Sequence, residues 1–434
     1  MTITPPSASP PPPAASAAPV APRRTISRAP LTSGRSRGWV LVVTILLCLV
    51  PILISIENLL LSTEVSPSLA AWSAIVWSLY TIPFLIIIRR IDYFEREPWV
   101  SLVAAFVWGG FVAAGMAITA NSAIFDLVTV SRGVLVAQEW GAALAGPTTE
   151  EIAKGLGVLL ILLASPRRPR TALDGFVIGA IVGLGFQVVE NFGYTMNVSA
   201  IEDDPSLSPL VQMFVVRGLI AGPFSHAVYT GIVGLGIGYL LTATHRSWWR
   251  RIGVAVLAFV GAYFAHWLWN SPLLLDELGF LSLLIKGLVT ISILIVGLRI
   301  ARRNDSTFFV QGLTGVPDYL CSPQEQQQLA TGKSRKQARK AAKRVGGRSA
   351  KKAMAALQRA QADLAVAVRV GDDAAAQNAT QRIEAARHQL PAGQLPPGSP
   401  PAGPTAAQSW PAPVAGAVVQ APGQWSPPSG PPVA

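Results

Sequence analysis

Long apolar segments recur along the chain and are separated by short polar segments. Each is about 20 residues long, the length that a helix needs to cross the hydrocarbon core of a bilayer. Their apolar residues are continuous rather than alternating, which favours helices over the strands of a barrel. The pattern therefore predicts an all-α polytopic membrane protein. We predict about eight spans, at residues 39–62, 68–88, 99–121, 141–164, 174–196, 218–242, 252–271 and 279–300.

Basic residues fall mainly on one side of these spans. If the N-terminus is cytoplasmic, the loops 89–98, 165–173 and 243–251 share its side and contain nine arginines. The loops on the other side contain only Arg132 and Arg217. Because lysine and arginine are enriched on the cytoplasmic side of membrane proteins, both termini are predicted to be cytoplasmic. We expect a multi-pass integral protein of a bacterial plasma membrane.

Composition changes this picture at the two ends of the chain. Only 13% of the 434 residues are charged, whereas about a quarter are charged in soluble domains. Most of the net charge of +12 lies beyond the last span. We predict five regions: a disordered Pro/Ala-rich cytoplasmic N-terminus (1–38), a transmembrane domain (39–300), a cytoplasmic connector (301–334), a basic cytoplasmic helical region (335–390) and a disordered Pro/Gly-rich tail (391–434).

The stretch from Lys333 to Lys352 contains ten basic residues and no acidic residue. Near a bilayer surface, each basic residue contributes about 1 kcal/mol to the binding of anionic lipid. We therefore expect the lipid bilayer itself, through anionic lipid, to be a partner of this region. A solvated positive face is an equal alternative, and nucleic acid is a weaker one.

Polar residues inside the spans are costly, since a charge at a span centre costs roughly 2.5–3.5 kcal/mol on insertion scales. Two glutamates and two histidines lie on four different spans: Glu150, Glu190, His226 and His266. At about 1.5 Å per residue, all four lie roughly 8 to 14 Å from the outer span ends. This common level predicts one shared site, although an ion pair or hydrogen bond is the structural alternative for any single residue. The complete candidate set is Glu150, Glu151, Lys154, Phe186, Glu190, Asn191, His226, His266 and Asn270.

Carboxylate and imidazole groups at a desolvated site can activate water. Glu150 would take the proton as a general base, and a histidine or Asn270 would donate to the oxyanion of a tetrahedral intermediate. Two histidines and one or two glutamates could also bind Zn²⁺, so the cofactor stays open. Neither H-E-x-x-H nor G-x-S-x-G occurs, which weakens the ordinary zinc-protease and serine-hydrolase hypotheses. A proton-coupled transporter and a non-catalytic scaffold are the alternatives for the same residues.

The order of these motifs resembles the PrsW family of intramembrane proteases, which is related to the CAAX-processing and bacteriocin-immunity membrane proteases. The resemblance covers roughly residues 75–300 and rests on E-E-x-x-K, F-x-x-x-E, a single histidine and H-x-x-x-N on successive spans. The matching residues are Glu150, Glu151, Lys154, Phe186, Glu190, Asn191, His226, His266 and Asn270. A short loop element also matches, at Asp92, Glu95, Glu97 and Pro98.

The resemblance implies a peptidase that cleaves a membrane-anchored protein substrate, in regulated proteolysis. It implies two forms of the site. In a metalloprotease the candidate ligands are Glu150, Glu190, His226 and His266. In a glutamate-type protease Glu150 is the base, assisted by Glu190 or His226. His266 and Asn270 then form the oxyanion site.

Overall fold

The computed structural model describes residues 34–91, 97–165, 169–243 and 246–391, and all regular structure within these ranges is helical. The expected all-α class is therefore confirmed. We number the helices α1 (Gly34–Val65), α2 (Pro67–Ile91), α3 (Trp99–Arg132), α4 (Val134–Ala164), α5 (Ala172–Glu202), α6 (Ser208–Thr242), α7 (Trp248–Asn270), α8 (Phe280–Leu313), α9 (Pro323–Ala330), α10 (Gly332–Val370) and α11 (Asp373–His388). A four-residue turn of helix, Leu275–Leu278, precedes α8.

Six helices in the described part of the chain are long and apolar enough to cross a membrane: α2, α3, α5, α6, α7 and the Phe280–Arg303 part of α8. Helices α1 and α4, with 32 and 31 residues, occupy the first and fourth predicted spans but are not among the six. The count of eight and the orientation of the termini therefore stay predictions. Residues 1–33 of the predicted disordered segment 1–38, residues 392–434 of the predicted segment 391–434, and Asp92 and Glu95 lie outside the described residues. Residues 34–38 belong to α1 and are helical.

Glycines bring α5 and α6 into backbone contact. A Cβ atom at Gly183 would lie 2.1 Å from the carbonyl oxygen of His226, and one at Gly179 would lie 2.2 Å from that of Thr230. Side chains larger than hydrogen cannot be placed at such distances, so this small-residue face fixes how closely the helices approach. The contact sets the distance between His226 and the residues that follow Gly183 on α5, and these include Glu190.

Helix α6 changes its geometry just before His226. A π-helical segment, Phe214–Ala221, is followed by a 3₁₀ turn, Gly222–Phe224, and the α-helix resumes at His226. Irregular backbone at membrane depth is tolerated where it lines a cavity. The helix also begins at Ser208 rather than at the predicted residue 218, since apolar residues continue towards the N-terminus. Arg217 therefore lies inside a helix and not in a loop.

Helices α9, α10, α11 and the end of α8 share a second hydrophobic core, separate from that of the spans. Helix α10 is interrupted at Gly346–Gly347, where Gly347 has a φ of 66°. Across this break the Arg339 Nε atom donates to Gln358 Oε1 at 2.7 Å, so the two arms of α10 fold back on each other. Apart from this break, residues 332–370 and 373–388 are helical, and the basic cytoplasmic region and the five-region division stay predictions.

Candidate active site

Four helices converge on one cavity of about 560 Å³. Its lining includes the two glutamates and two histidines that the sequence places at one level: Glu150 on α4, Glu190 on α5, His226 on α6 and His266 on α7. Glu150 and His226 are each 4% exposed and His266 is 2% exposed. These side chains therefore do not point to separate faces of the bundle but meet in one place.

The two adjacent glutamates of α4 point in different directions, because successive helical residues are about 100° apart. Glu150 lines the cavity, whereas Glu151 is fully buried behind it. Lys154, one turn along the same helix, lies between them. Its Nζ atom is 2.6 Å from Glu151 Oε1 and 3.4 Å from Glu150 Oε2. The ammonium group thus compensates mainly the carboxylate that the cavity does not reach.

Glu151 orients the ring of His266. The Nδ1 atom of His266 lies 3.0 Å from Glu151 Oε1, and its Nε2 atom lies 3.9 Å from Glu150 Oε2. Thr230 donates to the other oxygen of Glu151 at 3.2 Å, and the ring of Tyr229 stacks on His266 with centroids 4.8 Å apart. Because Glu151 accepts the Nδ1 proton, a neutral His266 presents the lone pair of Nε2 towards Glu150.

His226 is held in a similar way by Glu190. Its Nε2 atom lies 2.7 Å from Glu190 Oε2, while Nδ1 lies 3.0 Å from Lys154 Nζ and 3.7 Å from Glu150 Oε2. A lysine ammonium can only donate, so Nδ1 is the accepting nitrogen and Nε2 donates to Glu190. Both histidines therefore direct an accepting nitrogen towards Glu150 and bind a second carboxylate with the other nitrogen.

Arg217 belongs to the site although the sequence analysis placed it in an outer loop. Its Nη2 atom lies 2.5 Å from Glu190 Oε2, its Nε atom donates to Asn191 Oδ1 at 2.8 Å, and its guanidinium lies over the ring of Tyr194. The available signal was a single cation inside the apolar stretch "FVVRGLIA". Arg217 supplies the positive charge that Glu190 requires at this depth.

Asn121 on α3 is a second residue that the sequence analysis missed. Its Nδ2 atom donates to Glu150 Oε1 at 3.1 Å, and its Oδ1 atom accepts from Thr149. One asparagine on a helix without other polar candidates gives no signal in the sequence, since only packing brings it to Glu150. The contact fixes one carboxylate oxygen and leaves the other facing the histidines.

The remaining candidates surround this centre. Phe186 packs its ring 4.3 Å from Lys154 Nζ and 4.9 Å from the ring of His226. Asn270 lines the cavity, and its Nδ2 atom donates to Ala142 O at 3.1 Å. A Cβ atom at Gly146 would lie only 2.9 Å from Asn270 Nδ2. The glycine therefore provides the space in which Asn270 approaches α4.

A divalent metal fits the donor set of this cavity. Glu150, His226 and His266 each offer one ligand atom, and these atoms lie within 4.8 Å of one another. Metal-bound histidines commonly give their other nitrogen to a carboxylate, which is the arrangement that Glu151 and Glu190 provide. Glu190 lies outside the three-residue set. A bound metal would take the His226 nitrogen that Lys154 contacts, so the lysine side chain would have to move.

The cavity continues towards the apolar surface of the bundle. A neighbouring cavity of about 480 Å³ shares Glu150, Glu190 and Asn121 with it. That neighbour in turn shares Leu59 and Val189 with an apolar groove of about 850 Å³ between α1, α2, α3 and α5. Glu150 thus lines the polar cavity and its neighbour, and the neighbour adjoins the apolar groove.

The fold and the site together define a class of protein. It is a helical membrane protein whose spans converge on a buried set of carboxylates and histidines. Residues 97–298 match the family described as PrsW family intramembrane metalloprotease. The resemblance inferred from the motifs is thereby confirmed over this part of the chain, which contains the whole candidate site. Together with the six long apolar helices, this match supports a multi-pass integral membrane protein. No match is found among curated proteins or among solved structures.

Proposed function

We propose that this protein hydrolyses peptide bonds of membrane-associated proteins, with the reaction centred on Glu150, as a step in regulated proteolysis. The observation that carries the proposal is the convergence of Glu150, His226 and His266 on one buried cavity. Membership of the matched region in a protease family gives it independent support. The substrate is an anchored or membrane-embedded polypeptide, because the cavity lies among the spans.

In this proposal Glu150 takes a proton from a water molecule as the water oxygen attacks the carbonyl carbon of the scissile bond. Asn121 orients one oxygen of Glu150 at 3.1 Å, which leaves the other to receive the proton. An N–H of Asn270 stabilises the oxyanion of the tetrahedral intermediate. When the C–N bond breaks, Glu150 returns the proton to the leaving amine, so the carboxylate is regenerated.

A metal-dependent form is supported by the accepting nitrogens that His226 and His266 turn towards Glu150. Glu150, His226 and His266 would hold the ion, and Glu151 and Glu190 would orient the two histidines. The ion would supply a Lewis acid that polarises the scissile carbonyl and lowers the pKa of a bound water. Zn²⁺ is the ion that prefers this combination of ligands.

The apolar groove supports a membrane-embedded substrate. It runs along α2 and α3 and reaches the neighbourhood of Glu150 through the cavity that shares Val189 with it. An apolar polypeptide in the groove would approach the carboxylate without leaving the hydrocarbon. A soluble peptide has no comparable advantage there, since burying unpaired backbone groups in an apolar groove is unfavourable.

The test is the substitution Glu150→Gln in purified protein reconstituted with a panel of single-span reporter proteins. General-base catalysis contributes roughly 10²- to 10⁴-fold to a reaction rate, so the cleavage rate should fall by at least about 100-fold. Glu139→Gln is the matched control, because Glu139 is an exposed glutamate on the same helix. Cleavage that survives in Glu150→Gln would remove Glu150 from the role of base.

Elemental analysis of the active protein separates the two forms of the reaction. About one tightly bound metal ion per chain, lost in His266→Ala and in His226→Ala, supports the metal-dependent form. An active preparation that contains no metal supports glutamate-activated water. Both measurements are made on the protein used for the cleavage assay.

The interrupted helix α6 favours one alternative, a proton-coupled transporter, because broken helices line the binding sites of many transporters. That function requires uptake of a solute into vesicles when a pH gradient is imposed. It also requires Glu150→Gln to abolish the uptake, with no peptide-bond cleavage by the parent protein. Cleavage of any reporter without such uptake decides for the protease.

A further inference from the structure

A second cavity, with many charged lining residues, is formed mainly by the chain beyond the active-site motifs, from Arg302 to Lys351. It has a volume of about 740 Å³ and forms where α10 meets the ends of α2 and α8. Nine of its lining residues are basic: Arg90, Arg302, Arg303, Lys333, Arg335, Lys336, Arg339, Lys340 and Lys351. We call this cavity the basic pocket.

The described residues that line the basic pocket include no aspartate or glutamate. Like charges that converge repel one another. The effect is visible at Arg335, which is 7% exposed. Burial, and then the neighbouring Arg302, lowers the pKa of Arg335 to about 10. The pocket is therefore a concentration of positive charge that an anion would relieve.

Two of the arginines are held in fixed positions. Arg335 donates through Nη1 to the carbonyl oxygen of Leu329, and Arg339 donates through Nε to Gln358 at 2.7 Å. An ordered guanidinium group loses little freedom when it binds an anion, and its planar donors match a phosphate group. A cavity of this volume is also in the range of small-ligand sites, which is roughly 300–1,000 Å³.

The position of the basic pocket indicates how deep in the bilayer its ligand would lie. Arg90 is in the last turn of α2, Leu173 is in the first turn of α5, and Arg302 and Arg303 follow the apolar part of α8. All three helices are candidate spans, and these are the points where their apolar stretches stop. In a bilayer such points lie near the phosphate groups of the lipids.

We propose that the basic pocket is a binding site for a phosphate-bearing anion. The shared chemistry is a compact group with several phosphate oxygens, carried by an anionic phospholipid headgroup or by a soluble polyphosphate. The site joins the membrane domain to the helices beyond residue 313, so its occupancy stabilises the contact between these two parts. The proposal is independent of the proteolytic function.

The test compares two triple substitutions in the full-length purified protein. Lys336→Gln, Lys340→Gln and Lys351→Gln remove three exposed cations that line the pocket. Lys343→Gln, Arg344→Gln and Arg348→Gln remove three exposed cations of the same helix that do not line it. Both variants lose the same charge, so only the location differs. A third variant, Arg90→Gln, changes the pocket from the α2 side.

Binding is measured in neutral detergent with two probes, inorganic tripolyphosphate by calorimetry and phosphatidylglycerol by native mass spectrometry, with phosphatidylcholine as the neutral comparison. We expect saturable binding of at least one probe. The pocket triple should weaken it by about ten- to a hundredfold, Arg90→Gln should weaken it severalfold, and the control triple should change it less than threefold.

Binding of phosphatidylglycerol alone assigns the site to a lipid headgroup, and binding of tripolyphosphate alone assigns it to a soluble ligand. Binding of both, with mutual competition, supports the shared chemistry. An equal loss in the two triples would show that only overall charge matters and would overturn the proposal. Absence of saturable binding by either probe would also overturn it. Circular dichroism of each variant verifies that the helices are retained.

Discussion

The active-site cavity and the basic pocket are both rich in charged residues, but the charges are of mixed sign around the cavity and of one sign around the pocket. Around the cavity, carboxylates, cations and imidazoles alternate at distances of 2.5–3.9 Å. Around the basic pocket, the charged residues among the described lining residues are all cations. Burial explains the difference, because an unpaired charge among spans costs several kcal/mol. Seven of the nine basic residues that line the basic pocket are exposed, so water and salt screen most of its charge.

The negative charge around the active-site cavity is nearly balanced by cations, and the one carboxylate that is left over is informative. Lys154 is closest to Glu151, and Arg217 is paired with Glu190. On α4, α5 and α6, three carboxylates of the described site, Glu150, Glu151 and Glu190, therefore face two cations. Glu150 is the carboxylate without a cation of its own, and it is the one that faces the accepting nitrogens of two histidines. The surplus negative charge is where a water proton or a metal ion would be received.

The largest expected difference between the two regions is in the effect of removing Lys154. Lys154→Met leaves Glu151 fully buried without its nearest cation, so the free energy of unfolding should fall by about 3–5 kcal/mol. The matched change is Arg382→Met, which removes one partner of an exposed ion pair with Asp363. It should cost less than about 1 kcal/mol. Denaturant unfolding in mixed micelles measures both, and similar losses would mean that burial does not distinguish the pairs.

A smaller effect is expected at Arg217. Arg217→Gln removes the cation of Glu190, and Glu190 is then free to turn away from His226. Cleavage of the reporter should fall by roughly ten- to a hundredfold, which corresponds to about 1.4–2.7 kcal/mol. Arg132→Gln, at the exposed end of α3, is the control and should leave cleavage unchanged. A normal rate in Arg217→Gln would show that Glu190 needs no cation to position His226.

The packing of Asn270 can be tested with a single methyl group. Gly146→Ala places a Cβ atom 2.9 Å from Asn270 Nδ2, so the side chain must shift and its bond to Ala142 is strained. We expect cleavage to fall by about threefold to tenfold, or roughly 1 kcal/mol, with the fold retained. Gly193→Ala has nothing within 4 Å of the added atom and should have no effect. Equal rates in the two variants would exclude Asn270 from the oxyanion site.

The smallest effect is expected at the basic pocket when no phosphate is present. The triple substitution of Lys336, Lys340 and Lys351 by glutamine removes repulsion and should raise stability by up to about 1 kcal/mol at low salt. At 1 M salt, where screening acts within about 3 Å, the gain should disappear. The control triple of Lys343, Arg344 and Arg348 should gain less. A loss of stability in the pocket triple would mean that the lysines make favourable contacts within the chain.

The sequence predicts the helical membrane class because apolar length alone determines a span. It also separates Glu150 from Glu151, because the angular step of a helix is fixed. It does not predict the role of Arg217, since the positive-inside count treats any arginine near a span end as part of a loop. Nor does it predict the basic pocket. The run beginning at Lys333 is evident, but its meeting with Arg90 depends on how distant segments pack.

Asn121 and the interruption of α6 show the same limit. An isolated asparagine and a Gly-Pro pair are common in spans, and neither indicates a partner. Only the packing of α3 and α6 around α4 reveals that one binds Glu150 and the other places His226 at the start of a helix. The identity of candidate residues is thus local information, whereas their orientation and supporting contacts are tertiary.

The glycine contact between α5 and α6 has a mechanical consequence. Because the backbones touch at Gly179 and Gly183, α5 and α6 cannot slide or separate without losing contact along much of their length. The two helices should therefore move as one rigid unit. Helix α3 touches α5 in the same way, since a Cβ atom at Gly109 would lie 1.9 Å from the carbonyl oxygen of Val182. Among the described residues, neither α2 nor α4 makes such a glycine contact with the backbone of α3, α5 or α6. Widening that admits a polypeptide is therefore expected from α2 and α4, with α3, α5 and α6 as the fixed frame against which they move.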